Sequence, residues 1–137
     1  MNETAEVEVA AAIIFHNGKV LITQRYPEAH LGGLWEFPGG KRRPHETFEQ
    51  CLERELREEL GIAVRVGGLI QSITHRYPER TVHLNFYLCE WIGGDPKPLG
   101  CKDFAWVGCD ELTQFDFPAA DAAIVSLLQS TPEFWNR

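Results

Sequence analysis

The feature that most constrains this chain is one strongly amphipathic helix, predicted over residues 47–60. Thr47 and, three residues later, Gln50 form a capping box that begins the helix, and Gly61 stands where a C′ glycine ends one. The apolar residues of the helix recur every fourth position and are Phe48, Leu52, Leu56 and Leu60. Because such a face is stable only when it is covered, we expect the helix to pack against a sheet.

The rest of the chain alternates between strand patterns and turns. The dipeptide Asn17-Gly18 between two apolar runs indicates a β-hairpin, since a tight primed turn needs positive φ. Strands are predicted over residues 6–15, 20–23, 69–76, 81–91 and 105–107, a second helix over 118–129, and loops over 31–40 and 93–102. Several strands with two helices and no repeat predict one mixed α/β domain over residues 1–137, with helices packed on the sheet.

Charge and composition exclude several classes of protein. A net charge of -7 argues against binding the backbone of a nucleic acid polymer, which needs clustered cations. No apolar run approaches the length of a membrane span, and the start of the chain has no export signal. The four cysteines contain no CxxC pair, which is typical of reduced thiols in a cytoplasmic protein.

The predicted helix also carries an acidic cluster. Glu55, Glu58 and Glu59 are spaced i, i+3, i+4, so their carboxylates lie on one side, near the negative end of the helix dipole. This arrangement favours a counter-charge, and a hard divalent cation such as Mg²⁺ or Mn²⁺ takes oxygen ligands. The alternative is a solvated helix face with ion pairs such as Glu53–Arg57.

Residues 40–62 resemble a known signature. The segment GKRRPHETFEQCLERELREELGI is similar to the box of the Nudix hydrolases, and the fixed positions of that box are met by Gly40, Glu46, Arg54, Glu55, Leu56, Glu58, Glu59, Gly61 and Ile62. The resemblance implies a Nudix α/β/α sandwich with a mixed β-sheet between helices. It also implies an enzyme in which water attacks a phosphorus of a nucleoside diphosphate derivative.

The same resemblance assigns roles to individual residues. The metal ligands would be the carboxylates of Glu55, Glu58 and Glu59 and the carbonyl of Gly39, with Mg²⁺ as the metal and Mn²⁺ as a substitute. Arg54 would orient Glu55 and its neighbours and belong with them to the catalytic group. Residues Glu46, Gly40 and Gly61 would support the loop and helix structurally.

The resemblance continues outside the box, over about residues 9–128. The segments AHLGGLWEFPGGK and DFPAAD are similar to the MutT branch, which converts nucleoside triphosphates to monophosphate and pyrophosphate and whose archetype removes 8-oxo-dGTP. At the matching positions Arg25 would bind phosphate, Phe37 and Tyr77 would contact the purine, and Arg80 would cover the base or bind its carbonyl. The alternatives are a surface ion pair for Arg25, a core position for Phe37 and a solvated turn for Arg80.

Asp121 departs from the archetype, which carries Asn at this position. An ionised carboxylate only accepts hydrogen bonds, so Asp121 would face donors on a guanine, adenine or cytosine. Relatives with Asp here include pyrophosphohydrolases of CTP and modified pyrimidine nucleotides. An exposed helix N-terminus is expected to keep Asp121 ionised, and the alternative is that Asp121 merely caps the last helix.

A second departure concerns the general base. Relatives usually place Glu-His shortly before the Trp of the short strand, whereas this chain has Gly100-Cys101. Asp103 is a candidate substitute, or Glu58 or Glu59 could activate a metal-bound water directly. Loss of a base typically costs about 10²–10⁴-fold in rate.

Together these features predict a Mg²⁺-dependent nucleoside triphosphate pyrophosphohydrolase that acts on oxidised nucleotides such as 8-oxo-dGTP. The alternatives are a CTP or modified-pyrimidine pyrophosphohydrolase and a catalytically impaired nucleotide-binding module. The predicted partner is a small nucleotide, with no nucleic acid polymer and no membrane, and the predicted state is a monomer or homodimer. Phe134 and Trp135 could pack either on the domain or on a partner.

Overall fold

The first strand, β1 (Ala5–His16), runs through the middle of a mixed sheet. One edge of β1 pairs in parallel with β6 (Arg80–Gly93) from Ala5 to Ile14. Its other edge pairs antiparallel with β4 (Gly39–Lys41) and, at its end, with β2 (Lys19–Gln24). Strand β1 therefore lies between β6 and β4, and the chain continues from β4 into the acidic helix.

The computed structural model describes residues 5–137. Besides β1, β2, β4 and β6, the elements are β3 (Trp35–Glu36), α1 (Phe48–Leu60), β5 (Ala63–Arg76), β7 (Asp103–Val107) and α2 (Ala122–Gln129), with 3-10 turns at Cys109–Gln114, Ala119–Asp121 and Pro132–Asn136. Five strands follow the order β3-β2-β1-β6-β5, and β4 pairs with β1 and β7 with β2. In the described part of the chain, no helix is long and apolar enough to cross a membrane.

The two faces of the sheet are covered by different helices. Ala10, Ala12 and Ile14 of β1 belong to a core shared with α1, whose Leu52, Leu56 and Leu60 are fully buried. The alternate residues Ala11, Ile13 and Phe15 belong to a second core, shared with Ile124 and Leu128 of α2. A sheet between two helical layers confirms the predicted α/β/α sandwich; the extent of the domain, residues 1–137, stays a prediction.

The local signals of the sequence are confirmed. Thr47 and Gln50 form both hydrogen bonds of the capping box. Gly61 ends α1 at φ 69, and its N–H donates to the carbonyl of Arg57. Asn17 and Gly18 both have positive φ, 52 and 73, as a primed hairpin turn requires.

Three predicted boundaries were wrong. The loop predicted over 31–40 contains β3 and β4, which are short and are stabilised by pairing with β2 and β1 rather than by their own sequence. Strand β5 begins at Ala63, six residues before the predicted start, and the prediction missed this part because bulges near Gly67 and Gly68 interrupt the alternation of side chains. The second helix begins as a 3-10 turn, Ala119–Asp121, before α2.

The aromatic C-terminal residues pack on the domain itself. The ring of Phe134 stacks on Phe15 at 5.9 Å between centroids, and Trp135 meets Phe15 edge-on at 5.0 Å. The indole N–H of Trp135 donates to the carbonyl of Leu128 at 2.7 Å. Of the two alternatives for these residues, the structure shows the first.

Candidate active site

A cleft of about 870 Å³, part of it open to solvent, lies beside β4 and the turn between β5 and β6. Its lining includes all five residues that were predicted to contact the nucleotide, namely Arg25, Phe37, Tyr77, Arg80 and Asp121. The cleft also reaches Gly39 and Gly40, at the start of the loop that leads to α1. Residues from four separate segments of the chain are thus brought together in one cleft.

Arg54 organises the acidic end of this region. Its guanidinium binds Glu46 through two nitrogens, with Nε–Oε2 at 2.9 Å and Nη2–Oε1 at 2.6 Å. Its Nη1 donates to Glu55 at 2.8 Å and to Glu58 at 3.3 Å, and Nη2 also donates to the carbonyl of Lys41 at 3.1 Å. Hydrogen bonds from Arg54 lower the pKa of Glu46 to about 2. Arg54 therefore fixes the loop and two acidic side chains of α1 at once.

Two glycines of β4 allow close contacts, one with the helix α1 and one with the neighbouring strand β1. A Cβ on Gly40 would lie 2.4 Å from Cδ of Glu55, so the carboxylate of Glu55 occupies the space where a side chain would stand. A Cβ on Gly39 would lie 2.0 Å from the carbonyl oxygen of Ala10 in β1. Glu55 is half-buried as a result, and burial, only partly offset by Arg54, raises its pKa.

Glu59 is the most buried acid of the helix. The residue is only 8% exposed, and burial together with the charge of Glu36 raises its pKa to about 8. Within the described residues, neither Oε1 of Glu59 nor the hydroxyl of Thr23 has a hydrogen-bond partner. A buried carboxylate oxygen without a hydrogen-bond partner is a suitable ligand for a divalent cation, so Glu59 fits a metal site.

Glu58 is placed differently from the other two acids. Its carboxylate is 53% exposed and lies 3.8 Å from Arg43 as well as beside Arg54. Across residues 5–137, no group of three or more His, Cys, Asp or Glu side chains is close enough to hold a metal ion. The assignment of Glu55, Glu58 and Glu59 as a joint ligand set therefore stays a prediction.

The sequence analysis missed Glu36, which lines the cleft from β3. Its carboxylate accepts two bonds from Nη1 of Arg25, at 3.1 and 3.3 Å. Burial raises the pKa of Glu36, and its charge in turn raises the pKa values of Glu59 and Asp121. The available signal was an acidic residue between the aromatic residues Trp35 and Phe37, where a β-strand seldom carries charge.

Arg25 is engaged within the protein. Besides Glu36, its guanidinium binds the carbonyl of His30 through Nε at 2.6 Å. The ion pair that was the plain alternative for Arg25 is therefore present, although it lines the cleft instead of lying on an open surface. Its role in binding phosphate stays a prediction.

Phe37 belongs both to the lining of the cleft and to the hydrophobic core. Phe37 is 3% exposed and stacks against Phe117 at 5.4 Å, with Phe86 edge-on at 6.3 Å. Across the cleft, Arg80 has a buried Nε that lacks a partner among the described residues, so it is not simply a solvated turn residue. Unpaired buried donors are costly, and this one lies on a residue that faces the cleft.

Asp121 corrects two expectations. It lies at the N-cap position of α2 but makes no capping hydrogen bond, so it is not merely a helix cap. Only 6% of the residue is exposed, and burial, with the charge of Glu36 adding to it, raises the pKa of Asp121 to about 7. The expectation of an exposed carboxylate with a low pKa was wrong, because the 3-10 turn before α2 places Asp121 inside the cleft.

The segment around Gly100 lies on the end of α1. The N–H groups of Leu99 and Gly100 donate to the carbonyl of Glu59, at 3.0 and 2.9 Å, and that of Lys97 donates to Leu60. A Cβ on Gly100 would lie 3.2 Å from Cα of Glu59. Asp103, the candidate substitute base, is exposed and accepts a bond from the N–H of Phe104. It is absent from the residues described as lining the cleft.

The comparisons with known proteins identify the class to which this fold and cleft belong. Residues 9–127 match the model of the NUDIX domain, so the chain belongs to the Nudix family. It is 37% identical to the "CTP pyrophosphohydrolase" of Escherichia coli, over 87% of this chain and 88% of the relative. It is 38% identical to the "8-oxo-dGTP diphosphatase" of Haemophilus influenzae, over 93% and 96%.

Solved structures show the same fold. The E. coli ORF135 protein superposes with a TM-score of 0.79 at 34% identity, covering 93% of this chain and 91% of that protein. A MutT structure from a study of Aliivibrio salmonicida and Vibrio cholerae gives 0.77 at 29% identity, covering 91% and 97%. The predictions of a MutT-like Nudix fold and of a hydrolase are confirmed. Nudix hydrolases act on small-molecule substrates and generally use a divalent metal ion.

Proposed function

We propose that this protein is a Mg²⁺-dependent pyrophosphohydrolase that converts a nucleoside triphosphate and water to the monophosphate and pyrophosphate. One observation carries the proposal. A single cleft joins the predicted base contacts, Tyr77, Arg80 and Asp121, to Gly40, against which the carboxylate of Glu55 packs. A nucleotide in this cleft would have its base at one end and its phosphates at the acidic helix.

The metal-binding residues would be Glu55, Glu58 and Glu59 with the carbonyl of Gly39. Glu59 supports this best, because its buried Oε1 has no partner within the described residues. When bound, the ion would neutralise the phosphates and lower the pKa of a water molecule. The chain's own contribution is orientation, since Arg54 holds Glu55 and Glu58 and is itself held by Glu46.

The base preference rests on Asp121. With a pKa of about 7, this carboxyl is present in both forms near neutral pH. The protonated form donates as well as accepts, as an Asn would, which suits oxidised guanine. The ionised form accepts only, which suits the amino group of cytosine. We propose 8-oxo-dGTP as the substrate, and Asp121 favours a CTP or modified-pyrimidine nucleotide as the second candidate.

We propose a cytoplasmic protein that acts as a monomer or homodimer and binds no nucleic acid polymer and no membrane. The third possibility, a nucleotide-binding module without turnover, is favoured by the glycine at position 100 and the exposure of Asp103.

The test is pyrophosphate release with Mg²⁺ across 8-oxo-dGTP, the four dNTPs, CTP and 5-substituted dCTPs, with inorganic phosphate scored separately. Glu55→Gln is expected to abolish turnover, whereas Glu53→Gln, on the exposed side of the same helix, should not. Nucleotide binding without turnover in the unmodified protein would contradict the enzyme and support the binding module. Equal rates in both variants would refute the metal assignment.

A further inference from the structure

The rings of His30 and Tyr77 contact each other in the lining of the cleft. His30 lies in the loop between β2 and β3, and Tyr77 lies in the turn between β5 and β6, and both line the cleft. Their rings are 5.8 Å apart between centroids at an interplanar angle of 81°, which is the edge-to-face geometry that aromatic pairs favour. This contact joins two segments that are far apart in the sequence.

The backbone at His30 is held firmly from inside the protein. Nε of Arg25 donates to the carbonyl of His30, and the side-chain amide of Gln24 donates to the carbonyl of Gly33 at 3.1 Å. The N–H of Gly33 also donates to the carbonyl of Arg25 at 3.2 Å. The loop is therefore anchored to the end of β2 on both sides of His30.

The same loop adopts a conformation that sequence alone disfavours. Leu31 has φ 57, in the left-handed region that residues with a side chain seldom occupy. A Cβ on Gly32 would lie 2.1 Å from the carbonyl oxygen of Pro27, so only glycine fits there. A strained non-glycine residue beside a cleft is retained where the surrounding structure over-determines it. Here the result is that His30 faces Tyr77.

Tyr77 is contacted by a second imidazole. The ring of His75, from β5, lies 4.6 Å from that of Tyr77 at 63°. The N–H of Tyr77 donates to the carbonyl of Arg80 at 2.8 Å, which ties it to the other predicted base contact of the same turn. Tyr77 thus contacts two imidazole rings, one from the adjoining strand β5 and one, that of His30, from a segment distant in the sequence.

We infer that His30 is a positioning residue that holds the Tyr77 ring against the base of the bound nucleotide. The inference rests on the proposed function, because it needs a nucleotide base beside Tyr77. His30 acts here through its ring and not through its charge. Through its guanidinium, Arg25 hydrogen-bonds both the carboxylate of Glu36 and the carbonyl of His30, and so connects these two residues of the cleft lining.

The test combines His30→Ala with His30→Phe, which keeps a flat ring, and with the control His83→Ala. His83 binds Thr74 and Glu6, and it lies outside the residues described as lining the cleft. Binding of CMP, 8-oxo-dGMP and inorganic pyrophosphate is measured by calorimetry with Mg²⁺, so that no turnover is needed. The ring signals of Tyr77 are followed by NMR without ligand.

His30→Ala is expected to shift the Tyr77 signals and to weaken binding of the preferred monophosphate about three- to tenfold, with pyrophosphate unaffected. His30→Phe should restore most of the binding, and His83→Ala should change neither readout. In a Tyr77→Ala background, His30→Ala should cause no further loss, because the two residues act as one unit.

Two outcomes separate this inference from the proposed function. If the unmodified protein binds the monophosphates but the losses from His30→Ala and Tyr77→Ala simply add, the inference fails while the nucleotide site stands. An equal loss of pyrophosphate binding would likewise overturn it, since His30 would then act on phosphate. If the unmodified protein binds no nucleotide, both the inference and the proposed function fail.

Discussion

The carboxylate of Glu55 fills the space that a side chain on residue 40 would occupy, with Cδ 2.4 Å from the position of a Cβ on Gly40. This contact brings α1 onto β4 and sets Glu55 beside Arg54, whose Nη1 lies 2.8 Å from Oε1. Gly40 and Glu55 therefore pack as a pair, since the space left free by the glycine is the space that the carboxylate occupies.

Gly40→Ala should reduce turnover strongly while changing stability little. The added methyl group meets the far end of a flexible side chain, so Glu55 can move aside, but it then loses its place next to Arg54. We expect kcat to fall by about 10²-fold, as for the loss of an acid–base group, with a shift in melting temperature of a few degrees. Pyrophosphate release and thermal unfolding measure the two effects.

Gly39→Ala and Gly68→Ala are the matched comparisons. A Cβ on Gly39 would meet backbone, 2.0 Å from the carbonyl oxygen of Ala10, so this variant should be destabilised outright. A Cβ on Gly68 would meet nothing within 4 Å, so its turnover should be unchanged. Full activity in Gly40→Ala would show that the Glu55 position is unimportant.

Arg54→Lys should lower both activity and stability at neutral pH. A lysine has no planar fork and cannot bind Glu46 through two nitrogens while also reaching Glu55. Because the pKa of Glu46 is lowered to about 2 in the folded protein, its stabilising effect is complete above its unfolded pKa, near 4.5, and is lost as pH falls toward 2. Denaturant unfolding between pH 2 and 5 should show a weaker pH dependence in Arg54→Lys and in Glu46→Gln than in the unmodified protein.

Asp121→Asn should change stability in the opposite pH direction. The pKa of Asp121 is raised from 3.8 to about 7, so the folded state favours the protonated form and loses stability as pH rises from about 4 through 7. An amide does not titrate, so the variant should lose less stability over this window. Parallel unfolding curves for the two proteins from pH 4 to 8 would mean that Asp121 does not carry this shift.

The same substitution should alter base selection. Asn both donates and accepts, so Asp121→Asn should favour 8-oxo-dGTP over CTP and dCTP more than the unmodified protein does. In the unmodified protein the ratio of the two activities should vary between pH 6 and 8, whereas in the variant it should stay constant. An identical substrate profile in both proteins would remove Asp121 from base recognition.

Gly100→Glu should not restore a general base. The added side chain begins 3.2 Å from Cα of Glu59, against helix backbone that cannot move as a flexible side chain does. We expect kcat to stay the same or fall, and stability to decrease, when rates and unfolding are compared with Gly100→Ala. A rise in kcat of tenfold or more would show that the loop relaxes and that the missing acid limits the rate.

The sequence by itself determined the features whose causes lie within a few residues. The capping box at Thr47, the C′ glycine Gly61 and the primed turn at Asn17 were predicted correctly, because each depends on hydrogen bonds or φ angles between neighbours. The family was also evident, since its signature occupies one continuous stretch, residues 40–62.

Only the tertiary structure decided which polar groups are buried. Asp121 looked exposed from its place before a helix, yet segments distant along the chain bury it, and desolvation moves its pKa by several units. Glu36 became part of the site through Arg25, and Gly100 through its contact with Glu59. Burial and the resulting electrostatics depend on neighbours in space, which a local pattern of residues does not contain.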